Sequence, residues 1–312
     1  MKAAQINTYG DVSVIEINEV EIPEITDKQV LIEVHAASIN PFDTTIRSGA
    51  AKDSIPLELP ITLGGDIAGI VQKIGADVTS LSSGDRVYGQ ANVVSKSSGA
   101  FAEYAAAAST QVTRVPEGLE FIEAASLPLV GASALQALMM HVELQPDQKL
   151  FINGGAGGIG SIAIQAAKHI GAYVATTATG EGIEFVKSLG ADEVIDYQVE
   201  DFTQTLQNYD AVFDTVSGDD FNRTFQVLSE GGVAVSMVAE PDEALAAQHG
   251  IMAIKQTTHV TTEILEELNR LIETGAVTPQ VDTVFPLEDV RAAFEARESG
   301  VVHGKVVLRI RE

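Results

Sequence analysis

The sequence contains no cysteine and no tryptophan, and aromatic residues make up only 5% of its 312 residues. The absence of cysteine excludes disulfide bonds, thiol catalysis and a zinc site with cysteine ligands. No run of about 18 apolar residues is present, so we expect no membrane span and no membrane partner. We expect a cytoplasmic protein, because a cysteine-free chain suits a reducing compartment and residues 1–5 do not open a signal peptide.

Basic residues are also scarce. Lys and Arg number 19 against 44 Asp and Glu, which gives a formal net charge of −25. A field of this sign repels phosphate backbones, so we expect no nucleic-acid partner. A dinucleotide is still compatible with this charge, because backbone dipoles at a helix N-terminus can hold its phosphates.

Hydrophobic residues make up 45% of the chain, and its length suits about two domains. The first part, up to residue 124, contains β-rich runs separated by turns, at 30–36, 67–74, 101–108 and 111–115. Such runs predict a mostly β, partly open barrel.

From about residue 125 the rhythm changes. Predicted strands alternate with helices and lie at 149–153, 172–177, 193–196, 210–214 and 232–238. This alternation predicts an α/β fold with a doubly wound parallel sheet. An amphipathic helix over 261–274 and a last strand over 305–310 follow, and that strand resembles the first half in type. We therefore predict one domain from residues 1–124 and 260–312 and a second from 125–259.

The most informative motif is a glycine-rich turn. Gly155, Gly157 and Gly160 form G-x-G-x-x-G between an apolar strand at 149–152 and a helix at 161–170. In this context the glycines let backbone N–H groups approach a diphosphate, and the helix N-terminus favours its negative charge. A merely flexible glycine-rich loop is the alternative, and the flanking strand and helix argue against it.

The tip of the second predicted strand indicates which dinucleotide binds. Sites for NAD usually place an acidic side chain about 20 residues after the first glycine. Residues 174–180 contain no carboxylate, and Thr177 and Thr179 offer hydroxyl donors instead. This removes repulsion against a 2′-phosphate and favours NADPH, although Glu181 stands close by and no arginine is near enough to clamp the phosphate.

A series of further motifs runs along nearly the whole chain. They lie at residues 39–43, 47–49, 64–71, 84–89, 101–104, 124–129, 189–197 and 304–308. In their order they resemble the zinc-independent medium-chain dehydrogenases/reductases of the quinone oxidoreductase (zeta-crystallin-like) family. The resemblance implies a GroES-like catalytic domain and a Rossmann domain with the active site in the cleft between them. It also implies a homodimer or homotetramer.

The same resemblance implies roles for individual residues. Asn40 and Pro41 would lie near the nicotinamide, and Lys305 would approach the cofactor. From the chemistry of hydride transfer we predict that the Asn40 amide is the catalytic hydrogen-bond donor to the substrate oxygen. The other implied cofactor-binding positions are Ser133 at the carboxamide or phosphate, Tyr197 near the adenosine 2′-phosphate, and Val216, Gly218, Met237 and Val238 around ribose and nicotinamide. The glycine motif itself assigns Gly155, Ala156, Gly157, Gly158 and Ile159 to the diphosphate, and the strand tip assigns Thr177 and Thr179 to the ribose.

Two positions depart from patterns seen among relatives. Zinc-dependent relatives have a histidine and a glutamate where this chain has Gly65 and Asp66. Together with the lack of cysteine, this removes the three protein ligands of a catalytic zinc, so we expect no metal. Thr45 stands where some quinone reductases carry a tyrosine in the substrate pocket, which weakens the case for quinone as the preferred substrate.

The remaining side chains form no recognisable catalytic set. The six histidines are scattered without metal-ligand spacing, and Asp43 is more readily explained by a turn than by proton transfer. Hydride transfer from a nicotinamide needs placement above all, and a conjugated carbonyl spreads the incoming charge onto its oxygen. We therefore predict an NADPH-dependent oxidoreductase that reduces a small-molecule quinone or other conjugated carbonyl. The alternatives are an enone or alkenal reductase with little quinone activity and a non-catalytic NADPH-binding sensor or crystallin-like protein.

Overall fold

A computed structural model describes residues 1–216, 218 and 220–311, so Ser217, Asp219 and Glu312 lie outside the described residues. The strands are β1 (Lys2–Ile6), β2 (Ile15–Glu19), β3 (Gln29–Ser38), β4 (Ile61–Thr62), β5 (Asp66–Ile74), β6 (Arg86–Gln90), β7 (Tyr104–Ala108), β8 (Val112–Arg114), β9 (Lys149–Asn153), β10 (Tyr173–Ala178), β11 (Glu193–Asp196), β12 (Tyr209–Asp214), β13 (Leu228–Ser236), β14 (Met252–Lys255), β15 (Val281–Pro286) and β16 (Lys305–Arg309). The α-helices are α1 (Pro41–Ser48), α2 (Phe121–Ala125), α3 (Pro128–Leu135), α4 (Gly158–Ile170), α5 (Glu181–Ser188), α6 (Phe202–Thr205), α7 (Asp220–Arg223), α8 (Glu243–His249), α9 (Thr262–Glu273) and α10 (Val290–Glu298).

The chain folds into two units. Unit 1 consists of Met1–Leu129, Val260–Asn269 and Pro279–Glu312, and unit 2 consists of Val130–His259 and Arg270–Thr278. The chain therefore builds most of unit 1 and then most of unit 2, adds one short segment to each, and ends in unit 1. Among the described residues, the helices are all too short or too polar to cross a bilayer.

Unit 1 is mostly β. Its larger sheet has the strand order β15-β16-β3-β5-β6-β8, with β7 also paired to β3, and a small sheet has the order β2-β1-β4. Neighbouring strands are antiparallel except for β15 and β16. The last strand, β16, pairs with β3, and the buried rings of Phe101 and Phe294 meet edge to face at 6.1 Å. The C-terminal segment thus shares both a sheet and a core with the first 130 residues or so.

Unit 2 contains a six-stranded sheet in which every neighbouring pair is parallel. Its order is β11-β10-β9-β12-β13-β14. Counted from β9, this is 3-2-1-4-5-6, the order of a doubly wound Rossmann sheet, in which the second and third strands lie on one side of the first strand and the fourth to sixth on the other. The buried Phe151, Val212 and Ala234 belong to three neighbouring strands and to one core cluster. The expected fold class, a Rossmann sheet with a mostly β GroES-like unit, is confirmed.

Most predicted elements appear close to their predicted bounds. The strands at 149–153 and 193–196 are found unchanged, and the helix predicted over 261–274 is α9, whose Leu265 and Leu268 are fully buried. The strand predicted over 232–238 is longer and begins at Leu228. Strand β14 was not predicted, because four residues reading Met-Ala-Ile-Lys carry no β-specific pattern.

Candidate active site

The glycine-rich turn joins the central strand of unit 2 to a helix. Strand β9 ends at Asn153 and α4 begins at Gly158, with Gly157 as its N-cap. The first N–H groups of a helix have no partner within it. Among the described residues, no side chain caps them either, and no acidic residue stands in the first turn. The head of α4 therefore presents N–H donors from Gly158, Ile159 and Gly160 that no described side chain caps.

The three glycines of the motif have different reasons to be glycine. A Cβ at Gly155 would collide with the side chain of Thr176, and one at Gly160 would lie 2.6 Å from Gly155 Cα. Both are therefore fixed by packing inside the protein. A Cβ at Gly157 would meet only the Gly154 carbonyl oxygen, at 3.6 Å, and Gly157 is exposed. Open space beside bare backbone donors fits the diphosphate of a dinucleotide.

The tips of β10 and β11 carry the residues predicted for the adenosine ribose. The parallel register pairs Ala178 with Asp196, so Thr179 and Tyr197 follow on neighbouring strands. Thr179 is half-buried and Tyr197 is 58% exposed. Thr177 differs, since it is buried and its hydroxyl donates to Asn153 Oδ1 at 2.7 Å. Its hydroxyl is thus engaged within the sheet.

The residues predicted for ribose and nicotinamide follow the carboxyl ends of β12 and β13. Val216 and Val238 are 39% and 45% exposed, and a Cβ at Gly218 would meet nothing within 4 Å. Ser217, between two of these predicted positions, lies outside the described residues. All these segments leave the same edge of the sheet as the glycine turn, which is where ligands bind in open α/β sheets.

Ser133 and Met237 are connected by a glutamine that the sequence did not single out. Gln256 Nε2 donates to the Ser133 carbonyl oxygen at 3.0 Å and lies 3.4 Å from Met237 Sδ. Ser133 Oγ and Thr258 Oγ1 share a hydrogen bond of 2.8 Å. Gln256 follows directly on β14, the strand that was not predicted, so nothing in the sequence pointed to it.

Unit 1 contains a buried polar cluster around Asn40. The Asn40 Nδ2 donates to Asp66 Oδ2 at 2.8 Å, and Lys305 Nζ donates to Asn40 Oδ1 at 2.5 Å. Lys305 also donates to the Ile39 carbonyl oxygen at 3.0 Å. Gln90 Nε2 donates to the other oxygen of Asp66 at 3.0 Å. Asn40, Asp66 and Lys305 are 2%, 0% and 5% exposed.

Strand register explains why residues so far apart in sequence meet here. Asp66 opens β5 and pairs with Ser38 at the end of β3 and with Gln90 at the end of β6. Val307 of β16 also pairs with Ser38. Because β16 and β3 are antiparallel, Lys305 lies two residues further along, level with Asn40. The cluster therefore forms where β3 and β6 end and β5 and β16 begin.

Helix α1 fixes the backbone of Asn40. Asn40 is its N-cap and Pro41 its first residue, a favoured place for proline, and Pro41 is exposed. The Asn40 N–H donates to Asp43 Oδ2 at 2.7 Å, and the Asp43 N–H donates to the Asn40 carbonyl oxygen at 3.0 Å. The structure thus gives Asp43 a capping role in a helix that a turn-based interpretation of the sequence did not specify. Thr45 is half-buried one turn later.

The cluster contains three buried ionisable side chains, and burial disfavours the charged form of each. Burial, together with the neighbouring Asp66 charge, raises the pKa of Asp43 to about 7, while the hydrogen bond from Asn40 N and the Lys305 charge act against this rise. Burial also raises the pKa of Asp66. It lowers the pKa of Lys305 to about 8. Lys305 Nζ lies 3.9 Å from Asp66 Oδ2, so each charge partly offsets the cost of burying the other. Within residues 1–216, 218 and 220–311, no three His, Asp or Glu side chains are grouped to hold a metal ion.

Comparison with known proteins identifies the family. Residues 26–117 match the alcohol dehydrogenase GroES-like domain, and residues 189–308 match a family described as zinc-binding dehydrogenase. The NADPH-dependent alkenal/one oxidoreductase of Arabidopsis thaliana chloroplasts is 37% identical over 99% of this chain and 79% of its own length. The quinone oxidoreductase structure from Coxiella burnetii superposes with a TM-score of 0.92 at 34% identity, covering 100% of this chain and 99% of that one.

The chain belongs to the quinone oxidoreductase family of medium-chain dehydrogenases/reductases. The Escherichia coli quinone oxidoreductase complexed with NADPH has the same fold, with a TM-score of 0.90 at 28% identity over 99% of this chain and 100% of that one. The resemblance seen in the sequence motifs is thereby confirmed for the family as a whole.

Proposed function

We propose that this protein is an NADPH-dependent oxidoreductase that reduces quinones or other conjugated carbonyl compounds. The observation that carries this proposal is the head of α4, where N–H donors that no described side chain caps face open space beside Gly157 on a sheet of Rossmann order. The names of the relatives support it, because the alkenal/one oxidoreductase is called NADPH-dependent and the Escherichia coli quinone oxidoreductase was crystallised with NADPH.

The reaction needs one hydride, which carries two electrons, and one proton. NADPH, when bound, supplies a hydride. In a conjugated enone the hydride forms a bond to the β-carbon, the carbon–carbon double bond breaks, and charge collects on the carbonyl oxygen until a proton completes the saturated product. A quinone likewise accepts one hydride and one proton and becomes a hydroquinone. The protein must therefore hold the two reactants in line and stabilise a developing oxygen charge.

Asn40 is the residue that we propose for the oxygen. Its Nδ2 carries two hydrogens, and Asp66 accepts one of them. The second hydrogen can donate to the substrate oxygen. Lys305 donates to the Asn40 Oδ1 atom and so keeps the amide from rotating to exchange its oxygen and nitrogen. The pKa of Asp43 is about 7, and its carboxyl accepts a hydrogen bond from Asn40 N. We propose that this carboxyl is a store of protons close to Asn40.

Steady-state NADPH consumption tests the proposal. The purified protein is assayed with a short alkenal, a cyclic enone and a benzoquinone, and the saturated ketone and aldehyde of equal size serve as controls. Oxidation of NADPH with the conjugated compounds alone is expected. Tight NADPH binding without turnover on any of them would overturn the proposal and favour a non-catalytic binding protein.

We also propose that catalysis needs no zinc, because Gly65 occupies the histidine position and the Asp66 carboxylate accepts from Asn40 and Gln90.

The quaternary structure that we propose is a homodimer or homotetramer. Strand β14, at the end of the six-stranded sheet, supports this because it pairs with β13 alone among the described strands and Met252 on it is 58% exposed. A cytoplasmic location completes the proposal. Light scattering and cell fractionation test these two points.

A further inference from the structure

Four polar side chains stand side by side at the carboxyl ends of neighbouring strands in unit 2. They are Thr177 on β10, Asn153 on β9, Asp214 on β12 and Ser236 on β13. The sheet order makes these strands neighbours, and the register pairs Asp214 both with Asn153 and with Ser236. Their exposed fractions are 3%, 4%, 0% and 0% in the order given. Such burial makes their hydrogen-bond partners obligatory.

A continuous chain of hydrogen bonds links the four. Thr177 Oγ1 donates to Asn153 Oδ1 at 2.7 Å, and Asn153 Nδ2 donates to Asp214 Oδ1 at 2.8 Å. From the other side, Ser236 Oγ donates to Asp214 Oδ2, also at 2.8 Å. Both arms therefore end on the two oxygens of one carboxylate.

The outer ends of this chain hold backbone that the proposed function assigns to the cofactor. The Gly154 N–H, at the start of the glycine turn, donates to Thr177 Oγ1 at 2.9 Å. On the other arm, the N–H groups of Val238 and Ala239 donate to Ser236 Oγ at 3.1 and 3.0 Å. One end thus fixes the turn at the diphosphate, and the other fixes the segment predicted to lie beside ribose and nicotinamide.

The direction of every bond follows from the central carboxylate. An ionised carboxylate only accepts, so Asn153 must turn its NH2 group toward Asp214 and leave its oxygen for the Thr177 hydroxyl. Thr177 then has lone pairs free for the Gly154 N–H. Ser236 must likewise donate to Asp214 and accept from Val238 and Ala239. Burial raises the pKa of Asp214, while the hydrogen bonds from Ser236 and Asn153 act against that rise and favour the charged form.

We propose that Asp214 is a positioning residue for NADPH, whose carboxylate sets the direction of these hydrogen bonds and so holds the glycine turn and the 237–239 segment ready for the cofactor. This inference rests on the proposed function, since it assumes that unit 2 binds the dinucleotide. It gives Asp214 a role through Asn153 and Ser236, without any contact to the cofactor itself.

The test compares variants that remove different hydrogen bonds of this series. Asp214→Asn keeps the size of the side chain but lets it donate as well as accept. Thr177→Val breaks the arm to the glycine turn, and Ser236→Ala breaks the arm to Val238 and Ala239. Asp210→Asn is the matched control, because Asp210 lies at the other end of the same strand and accepts from the Lys149 N–H at 2.7 Å.

Dissociation constants are measured by calorimetry for NADPH and for 2′-phospho-ADP-ribose, which lacks the nicotinamide, and melting temperatures are measured without ligand. Asp214→Asn is expected to weaken binding of both ligands by about tenfold, the size expected for a lost charge-assisted hydrogen bond. Thr177→Val is also expected to weaken both, whereas Ser236→Ala is expected to weaken binding of NADPH more than binding of 2′-phospho-ADP-ribose. Adding Ser236→Ala to Asp214→Asn is expected to change NADPH binding little further, because both act on one arm.

Several results would overturn the inference. Asp214→Asn binding NADPH as tightly as the wild type would do so, as would equal losses in Asp214→Asn and Asp210→Asn. If Asp214→Asn does not fold, the other two variants decide: equal effects of Ser236→Ala on both ligands would show general loosening of the sheet. Failure of the wild type to bind NADPH would instead contradict the proposed function, so the two failures are distinguishable.

Discussion

The Lys305 ammonium group lies 3.9 Å from Oδ2 of Asp66, and both side chains are almost completely buried. The two residues are far apart in sequence and meet because β16 and β5 both pair with β3. Asn40 lies against both of them, accepting from Lys305 and donating to Asp66. The orientation of the Asn40 amide is therefore fixed by a buried pair of opposite charges.

Removing one member of this pair should be costly. Lys305→Met is expected to lower the free energy of unfolding by about 3 kcal/mol, because it leaves the Asp66 charge buried without its partner. Adding Asp66→Asn should restore part of the loss. Urea denaturation measures both. The control is Lys2→Met, which breaks the exposed pair of Lys2 and Glu288 and is expected to have no measurable effect. A Lys305→Met protein as stable as the wild type would contradict this account.

Two glycines of the turn should respond differently to alanine. Gly157→Ala is expected to leave the melting temperature unchanged, since its Cβ meets only the Gly154 oxygen at 3.6 Å, yet to weaken NADPH binding by about tenfold or more by filling the diphosphate space. Gly160→Ala should lower the melting temperature, because its Cβ would lie 2.6 Å from Gly155 Cα. Differential scanning fluorimetry and calorimetry measure the two effects. Unchanged NADPH affinity in Gly157→Ala would place the diphosphate elsewhere.

Asp43 should make stability depend on pH. Its pKa is about 7 in the folded protein against an ordinary value of 3.8, so between these values the folded state holds a proton that the unfolded state has lost. The free energy of unfolding therefore falls as pH rises through this window. Asp43→Asn still accepts from the Asn40 N–H and should show a shallower fall, with greater stability than the wild type above pH 7.

Urea midpoints across the window measure this dependence. The exposed Asp53→Asn serves as control and should keep the slope of the wild type. Some slope is expected to persist in Asp43→Asn, because burial raises the pKa of Asp66 as well. An identical slope in Asp43→Asn and the wild type would show that Asp43 does not hold the proton.

Asn40 should affect turnover more than cofactor binding. Asn40→Ala is expected to lower kcat on an enone by about a hundredfold, the effect of losing a donor to a developing oxygen charge, and to change the dissociation constant of NADPH by less than about twofold. Asn7→Ala, which alters an exposed asparagine of the same unit, is the control. Wild-type turnover in Asn40→Ala would remove this residue from the mechanism.

Metal removal should leave the enzyme active. Dialysis against a strong chelator is expected to change neither kcat nor the melting temperature, because the chain has no cysteine and carries Gly65 where zinc-dependent relatives have a histidine. Elemental analysis of the untreated protein accompanies the assay. Stoichiometric zinc together with loss of turnover on dialysis would contradict this prediction.

The sequence was most informative where chemistry depends on local pattern. The glycine turn, the strand before it and the helix after it follow from spacing alone, and so does the alternation that predicts a parallel sheet. Motif order then indicated the family. The residue types at the strand tips were also informative. They favoured NADPH because residues 174–180 contain no carboxylate.

The polar networks could not be predicted in the same way. Asn40, Asp66 and Lys305 meet only through strand pairing, which no local pattern reveals. Asp214 and Ser236 each end an apolar run at a strand terminus, where ligand sites form in α/β sheets, so that rule offered a usable signal. Thr177, predicted from the sequence to face the ribose, donates its hydroxyl to Asn153 inside the sheet, a pairing that depends on strand neighbours and not on local pattern.

A crystal structure of the protein with NADPH tests the central claim most directly. The account predicts density for the diphosphate against the N–H groups of Gly158 and Ile159 and beside Gly157. An empty glycine turn in crystals grown at saturating NADPH, or a nucleotide bound at another surface, would contradict it.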